Sequence, residues 1–352
     1  MVDLTTRIAG LELRNPVLAA SSELTMSERG IRACLDAGAG AVVAKSINEV
    51  SAAAKQLDIA DYVLLDSALA DVPWDEATGA ETLFNRSGLA QTPLDEWLAV
   101  LERSQRYAVT QDAAVIGSIT VAGPEGAARL AAALATVVPA VEINIGAPHG
   151  REGSAVRQVT DADGVAHYTR TVRSAVSCPL IVKLPGQASD IVGMARAAVD
   201  NGADAVALIG RFNGFVPNLT TWDPELGSWG AVGGSWALPV SLYWVSKCRR
   251  AMPVAPLVGT NGARSGLDVA RFLLSGADAV ELASLLMMRG ATALTRVLAE
   301  LRDYLDAHGV RTLAEVVGVS VTRAKEYGEI APVRLPPRPW NAGPEPSGQS
   351  RL

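Results

Sequence analysis

The chain has 352 residues, 49% apolar and 19% charged, and Asp plus Glu exceed Lys plus Arg by 37 to 31 for a net charge of −6. That length admits two or three ordinary domains or one large α/β barrel with extensions, and the acidic balance leaves no basic surplus for a nucleic-acid partner. Cys34, Cys178 and Cys248 are scattered without a CxxC pair, so neither a disulfide framework nor a metal or iron–sulfur site is expected. The first sixteen residues lack a signal-peptide core and no run reaches the ~18 apolar residues of a membrane span, so we expect a cytoplasmic protein with no membrane partner.

In chain order, short apolar runs alternate with longer alanine-rich stretches of helical spacing. The runs that read as strands are 16–20, 41–45, 114–118, 140–145, 180–184, 205–209, 256–259 and 279–282. Three of the helix-to-strand joints, DAGAGAVVAK, DNGADAVALI and LSGADAVELA, repeat one pattern in which a glycine ends a helix and a buried parallel strand follows. Eight such strands predict a TIM (β/α)8 barrel with inserted active-site loops. An open doubly wound sheet has less support, because no GxGxxG follows the first strand.

Two stretches interrupt the alternation, 50–100 and 146–178, and long loops of this kind commonly serve as lids or binding loops. The Pro-rich segment 332–352 reads as an extended or disordered tail following a single domain over 1–331.

Polar residues gather where strands end, which in a TIM barrel is the face that carries the active site. Lys45 and Ser46 follow the second strand, Asn144 closes the fourth, Lys183 lies near the end of the fifth, and Gly259, Thr260, Asn261 and Gly262 end the seventh. GTNGARSG, running into LDVARFLLSG, reads as a phosphate cradle, since glycines let backbone N–H groups face an anion beside a helix start; Ala283 and Ser284 supply its other half. Two lysines aimed into one mouth need anionic partners. Schiff-base chemistry at Lys45 or Lys183 is the competing reading. Asn85 in FNRSG and Asn144 suit an amide or heteroaromatic edge, and His149 in GAPHGREG stands where a proton or ligand role is open. His167 and His308 read as exposed helix or loop residues.

These residues resemble the FMN-dependent dihydroorotate dehydrogenase family and its relative, the flavin domain of dihydropyrimidine dehydrogenase. RNPVLAAS, VVAKS, NRSGL, VEINIGAPHG, IVKLP, VGGSWALP and VGTNGARSGLDVARFLLSGADAVELAS carry the likeness in order along 5–318. The resemblance implies an FMN oxidoreductase, connected to pyrimidine metabolism, that forms a homodimer. It places the flavin against Ala20, Ser21, Lys45, Ser46, Asn144, Lys183, Gly233, Gly234, Gly259, Thr260, Asn261, Gly262, Ala283 and Ser284, and a small-molecule substrate against Asn85, Gly88, Leu89, Asn144, His149 and Ile209.

Two departures stand out. The family's Cys or Ser base falls on Ala147, and a further substrate Asn falls on Ile209, so a polar ring would lose about 1–3 kcal/mol for each unmatched group. Orotate is therefore not the expected substrate; a cyclic or conjugated one is. The catalytic proton is assigned to His149 first, with Ser154, Arg151 and Glu152 behind it. The alternatives are a flavin-dependent isomerase, elimination or rearrangement enzyme, and a non-catalytic flavin-binding subunit.

Overall fold

The computed structural model describes residues 1–50, 55–147, 158–333, 338 and 340. Within the unit Met1–Thr322, eight parallel strands close a barrel: β3 (Val17–Ala19), β4 (Ala41–Val43), β7 (Ala114–Thr120), β8 (Ala140–Asn144), β9 (Leu180–Lys183), β10 (Ala205–Leu208), β13 (Leu257–Thr260) and β14 (Ala279–Leu282), the last pairing back onto β3 at Val280 and Val17. All eight coincide with the apolar runs of the sequence, because a strand covered by helices outside and packed side chains inside has no polar face. Residues 323–352 form a separate unit, of which a short turn of helix, Tyr327–Glu329, is described. Among the described residues no helix is long and apolar enough to cross a membrane.

The repeated joints carry a repeated clamp. Asp204 Oδ2 accepts from the Leu180 amide at 2.8 Å and from Arg173 at 2.8 Å. Asp278 Oδ2 likewise accepts from the Leu257 amide at 2.8 Å and from Arg249 at 2.7 Å. Each Arg also reaches the carbonyl of the joint glycine, Gly202 or Gly276, both at φ +103° in the left-handed region that ends helices. In the first joint Gly40 replaces the Asp, since a Cβ there would lie 2.1 Å from the Asn15 carbonyl oxygen. Arg14 and Asn15 close that joint instead, bonding the carbonyls of Ala39 and Gly38.

The N-terminal end of the barrel is plugged by a hairpin, β1 (Thr6–Ile8) with β2 (Leu11–Leu13), whose Ile8 and Leu13 pack with Leu18, Val43, Ile116, Ile181 and Val258. At the opposite end, β5 (Asp61–Leu65), β6 (Thr82–Arg86), β11 (Phe212–Gly214) and β12 (Gly230–Gly234) form a four-stranded antiparallel sheet in the order β11-β12-β6-β5. This sheet is absent from the sequence reading. It joins the 50–100 insertion to the segment after β10, with Ala231 opposite Asn85. The 146–178 stretch carries one helix among its described residues, Ala162–Arg173, capped at its start by Asp161.

Candidate active site

A cavity opens at the C-terminal mouth of the barrel, the face on which a TIM barrel carries its active site. A smaller one of about 390 Å³ adjoins it, and the two share Ser21, Lys45, Ser87, Asn144 and Arg211 as walls. The larger is bounded by Ala20, Lys183, Ile209, Gly233, Thr260, Asn261, Gly262, Ala283 and Ser284, and by Asn85 from the covering sheet. Ser46, Gly88, Leu89 and Ala147 border the smaller. The strand ends therefore bring most of the expected residues to one place.

Two do not border the cavities. A Cβ on Gly259 would meet Phe272 at 2.3 Å, so this glycine allows the helix Gly266–Leu274 to lie close on β13. Gly234, at φ +143°, fits against the Glu81 carbonyl at the end of β12. His149 and Ser154, with Arg151 and Glu152, lie outside the described residues.

The cradle after β13 is held from below. Asn261 donates to the Gly210 carbonyl at 3.0 Å and its own carbonyl accepts from Ser241 at 2.7 Å. Gly262 sits at φ +116°, and a Cβ there would lie 2.5 Å from the Leu238 backbone. Among the described residues the amides of Gly262 and Ala263 have no acceptor, while at the start of the helix Gly266–Leu274 the Gly266 and Asp268 amides are taken by Glu300 and Ser265. The loop amides of Gly262 and Ala263 and the start of the helix Ser284–Arg289, which has no side-chain cap, are left open beside the cavity.

Lys45 is buried at the rim, and its Nζ donates to Glu23 Oε1 at 2.7 Å. The Tyr62 hydroxyl donates to the same oxygen at 2.6 Å. Burial alone would raise the Glu23 carboxyl, but Lys45 and Tyr62 outweigh it and hold Glu23 below the usual carboxylate range. Burial lowers Lys45, with Glu23 opposing. The two shifts pull in opposite senses on pair stability; with the carboxyl held low and a contact of 2.7 Å, the ammonium–carboxylate form is the one present at neutral pH. Tyr62 is pushed up by burial and then by the charge of Glu23, and stays a donor.

Arg211, just past β10, donates to Asn85 Oδ1 and, at 3.1 Å, to Ser87 Oγ. The Asn85 amide nitrogen is taken by the backbone oxygens of Leu83 and Ala231. Asn85 thus has both amide hydrogens engaged, while its oxygen holds Arg211 between the two cavities. Deeper, Lys183 Nζ contacts Glu281 Oε2 and lies 3.7 Å from Glu142 Oε1, all three in the barrel interior.

Glu23, Tyr62, Arg211, Glu142 and Glu281 were not singled out from the sequence. For the last two a signal existed: in AVEIN and AVELA a lone carboxylate interrupts a strand that is otherwise wholly apolar.

A model of the dihydroorotate dehydrogenase family matches residues 74–305. The chain belongs to that family. The catalytic subunit of dihydroorotate dehydrogenase B (NAD(+)) from Geobacter sulfurreducens is 31% identical over 90% of this chain and 97% of the relative. Its counterparts from Methanocaldococcus jannaschii and Pyrococcus furiosus are 28% and 27% identical, covering 90% and 91% of this chain and 98% and 99% of theirs. FMN is the cofactor of dihydroorotate dehydrogenases, and the mouth fits it: open loop amides at Gly262 and Ala263 suit a phosphate, and the buried ammonium of Lys183 suits an electron-rich ring edge.

Proposed function

We propose that this chain is an FMN-dependent oxidoreductase that exchanges hydride with a CH–CH bond of a small cyclic or conjugated substrate other than dihydroorotate. Bound FMN supplies the hydride chemistry at N5, and the protein supplies position, charge and proton. Gly262, Ala263 and Ser284 would hold the phosphate, Asn261, Thr260 and Gly233 the chain above it, and Lys183 with Ala20 and Ser21 the ring. The substrate would occupy the smaller cavity, between Asn144, Ser87, Gly88 and Leu89, and reach past Arg211 into the larger one beside Ile209.

The observation that carries the departure from dihydroorotate is Ala147. It borders the smaller cavity with only a methyl group, where the family's acid–base residue would stand. Ile209, fully buried and apolar on the wall of the larger cavity, offers no hydrogen bond to a polar ring. The proton then comes from His149 or Ser154, or is exchanged with water. The same methyl favours a second reading, in which the flavin serves an isomerisation or elimination that needs no such base.

The relatives are catalytic subunits of an NAD(+)-linked enzyme, which makes a second, electron-accepting subunit one assembly to look for; the homodimer implied by resemblance is the other. The experiment is the visible spectrum of the purified protein, mass analysis of the released chromophore, and anaerobic titration with cyclic and conjugated hydride donors. Released FMN and bleaching by a donor other than dihydroorotate support the proposal. A colourless protein that does not take up added FMN overturns it.

A further inference from the structure

The floor of the larger cavity is a cluster of three ionisable groups with almost no access to water. Glu142 on β8 is 0% exposed, Glu281 on β14 is 2% and Lys183 on β9 is 8%. Lys183 and Glu281 both border the cavity. Their neighbours in register bring no further charge: Ser118 and Ile181 flank Glu142, and Leu18 and Thr260 flank Glu281. Arg211 is the other cation that acts on Lys183.

With both carboxyls ionised, the cluster would carry a net negative charge inside a barrel, where an uncompensated ion costs several kcal/mol even after relaxation. Three oxygens would also lack a donor, because among the described residues Glu142 Oε1, Glu142 Oε2 and Glu281 Oε1 have no hydrogen-bond partner. One proton removes the net charge and, as a donor between the two carboxyls, partners two of the three oxygens. Placed on Glu142, it makes the cluster neutral and gives a donor toward Glu281, leaving the Glu281 carboxylate to pair with Lys183.

We propose that Glu142 and Glu281 hold a single proton between them, carried by Glu142, and that the neutral cluster they then form with Lys183 is what leaves the Lys183 ammonium available to the flavin. A floor with two ionised carboxylates would repel the negative charge that a hydride brings to the ring. A floor with one ionised carboxylate and one ammonium does not. Glu142 and Glu281 are thus positioning residues that act through Lys183. Independent support comes from the direction in which burial, and then the charge of Glu281, push the Glu142 carboxyl: well above its ordinary range. Burial opposes the charge of Lys183, but the two carboxyls outweigh it and raise that lysine.

The second half of this inference rests on the flavin reading, whereas the shared proton does not, and the measurements separate them. Infrared difference spectra of full-length protein with and without 13C-labelled glutamate, recorded first without FMN, report the protonated carboxyl directly. A protonated-carboxyl band is expected at pH 7 and is expected to vanish in both Glu142→Gln and Glu281→Gln, since removing either carboxyl leaves the other to ionise beside Lys183. In the FMN-loaded protein, Glu142→Gln replaces a neutral acid by a neutral amide, so the FMN Kd stays within about twofold of wild type at pH 7 and the flavin midpoint potential is unchanged. The two proteins separate only at alkaline pH, where wild type loses the proton and the glutamine variant cannot. A missing band in wild type, a band that survives both substitutions, or a tenfold change in FMN Kd in Glu142→Gln at pH 7 overturns the proposal. Should the glutamine variants not fold, the wild-type spectrum and the pH dependence of its potential decide. Loss of FMN binding with the band intact would count against the flavin reading alone.

Discussion

Replacing Glu23 by Ala tests how the rim of the mouth is held. The carboxylate accepts from Lys45 at 2.7 Å and from Tyr62 at 2.6 Å, and the side chains of Lys45 and Glu23 are 6% and 19% exposed. Removing one partner of a buried ion pair costs about 3–5 kcal/mol, because the other charge stays buried without a counter-charge. Here the pair borders a cavity open to solvent, and water can reach Lys45 once the carboxylate is gone, so we expect about 2–3 kcal/mol, below that range. Urea unfolding at pH 7 of wild type, Glu23→Ala, Lys45→Met and the double variant gives the coupling. The double variant should be more stable than the sum of the single losses predicts, by about 1–2 kcal/mol for residues in direct contact. The pH dependence has a definite sign. Glu23 is held below its ordinary range, so its contribution is present above the unfolded carboxyl value, about pH 4.5, and is lost as pH falls through the folded one. Wild type and Glu23→Ala should therefore converge in stability only once the pH has fallen below that lowered folded value. A loss under about 1 kcal/mol at pH 7, or strictly additive single variants, would refute the argument that this pair is desolvated and coupled.

At the cradle, Gly262→Ala should weaken FMN binding at least tenfold by fluorescence titration, which is about 1.4 kcal/mol, since the φ of +116° and the Leu238 backbone at 2.5 Å both oppose a Cβ. Gly290→Ala, at φ +73° with open space around it, should cost about 1 kcal/mol of stability and leave FMN affinity unaltered; equal effects on affinity would show that backbone strain rather than the cradle is being measured. Among the joints, Asp278→Ala should destabilise by about 2 kcal/mol in urea and Asp204→Ala by less than about 1, because both strip a donor pair of its acceptor but Asp278 is the better buried carboxylate. Ala147→Cys should bind FMN as wild type does and still fail to be bleached by dihydroorotate, since Ile209 continues to face the cavity; bleaching would show that one methyl group separates this chain from dihydroorotate oxidation.

The barrel was legible because its strands are covered on both sides and appear as apolar runs, and because the joint glycines at positive φ leave the same letters each time. Asp204 and Asp278 even announce their clamps, and Gly40 marks the joint where the clamp has no room. What escaped the sequence is what depends on distance along the chain. Nothing local in 82–86 says that it will pair with 230–234, or that Asn85, which borders the larger cavity, also bonds that sheet through its amide and Arg211 through its oxygen. Glu23, Tyr62 and Arg211 lie outside the recognisable motifs and acquire meaning only when three separate segments meet. Glu142 and Glu281 were visible as charges in apolar strands, but alternation alone could not tell which wall they faced or that Lys183 stood between them.

The sheet over the mouth has a consequence for anyone who would redesign specificity. Its two central strands come from insertions separated by more than a hundred residues of barrel, and they share a ladder from Thr82–Gly234 to Asn85–Ala231. A library that randomises one insertion keeps the old register of the other, and most of its members will have mismatched walls. Productive variants should appear when both strands are drawn together from the same parent, so that recombination units here are pairs of distant loops, not contiguous stretches of gene.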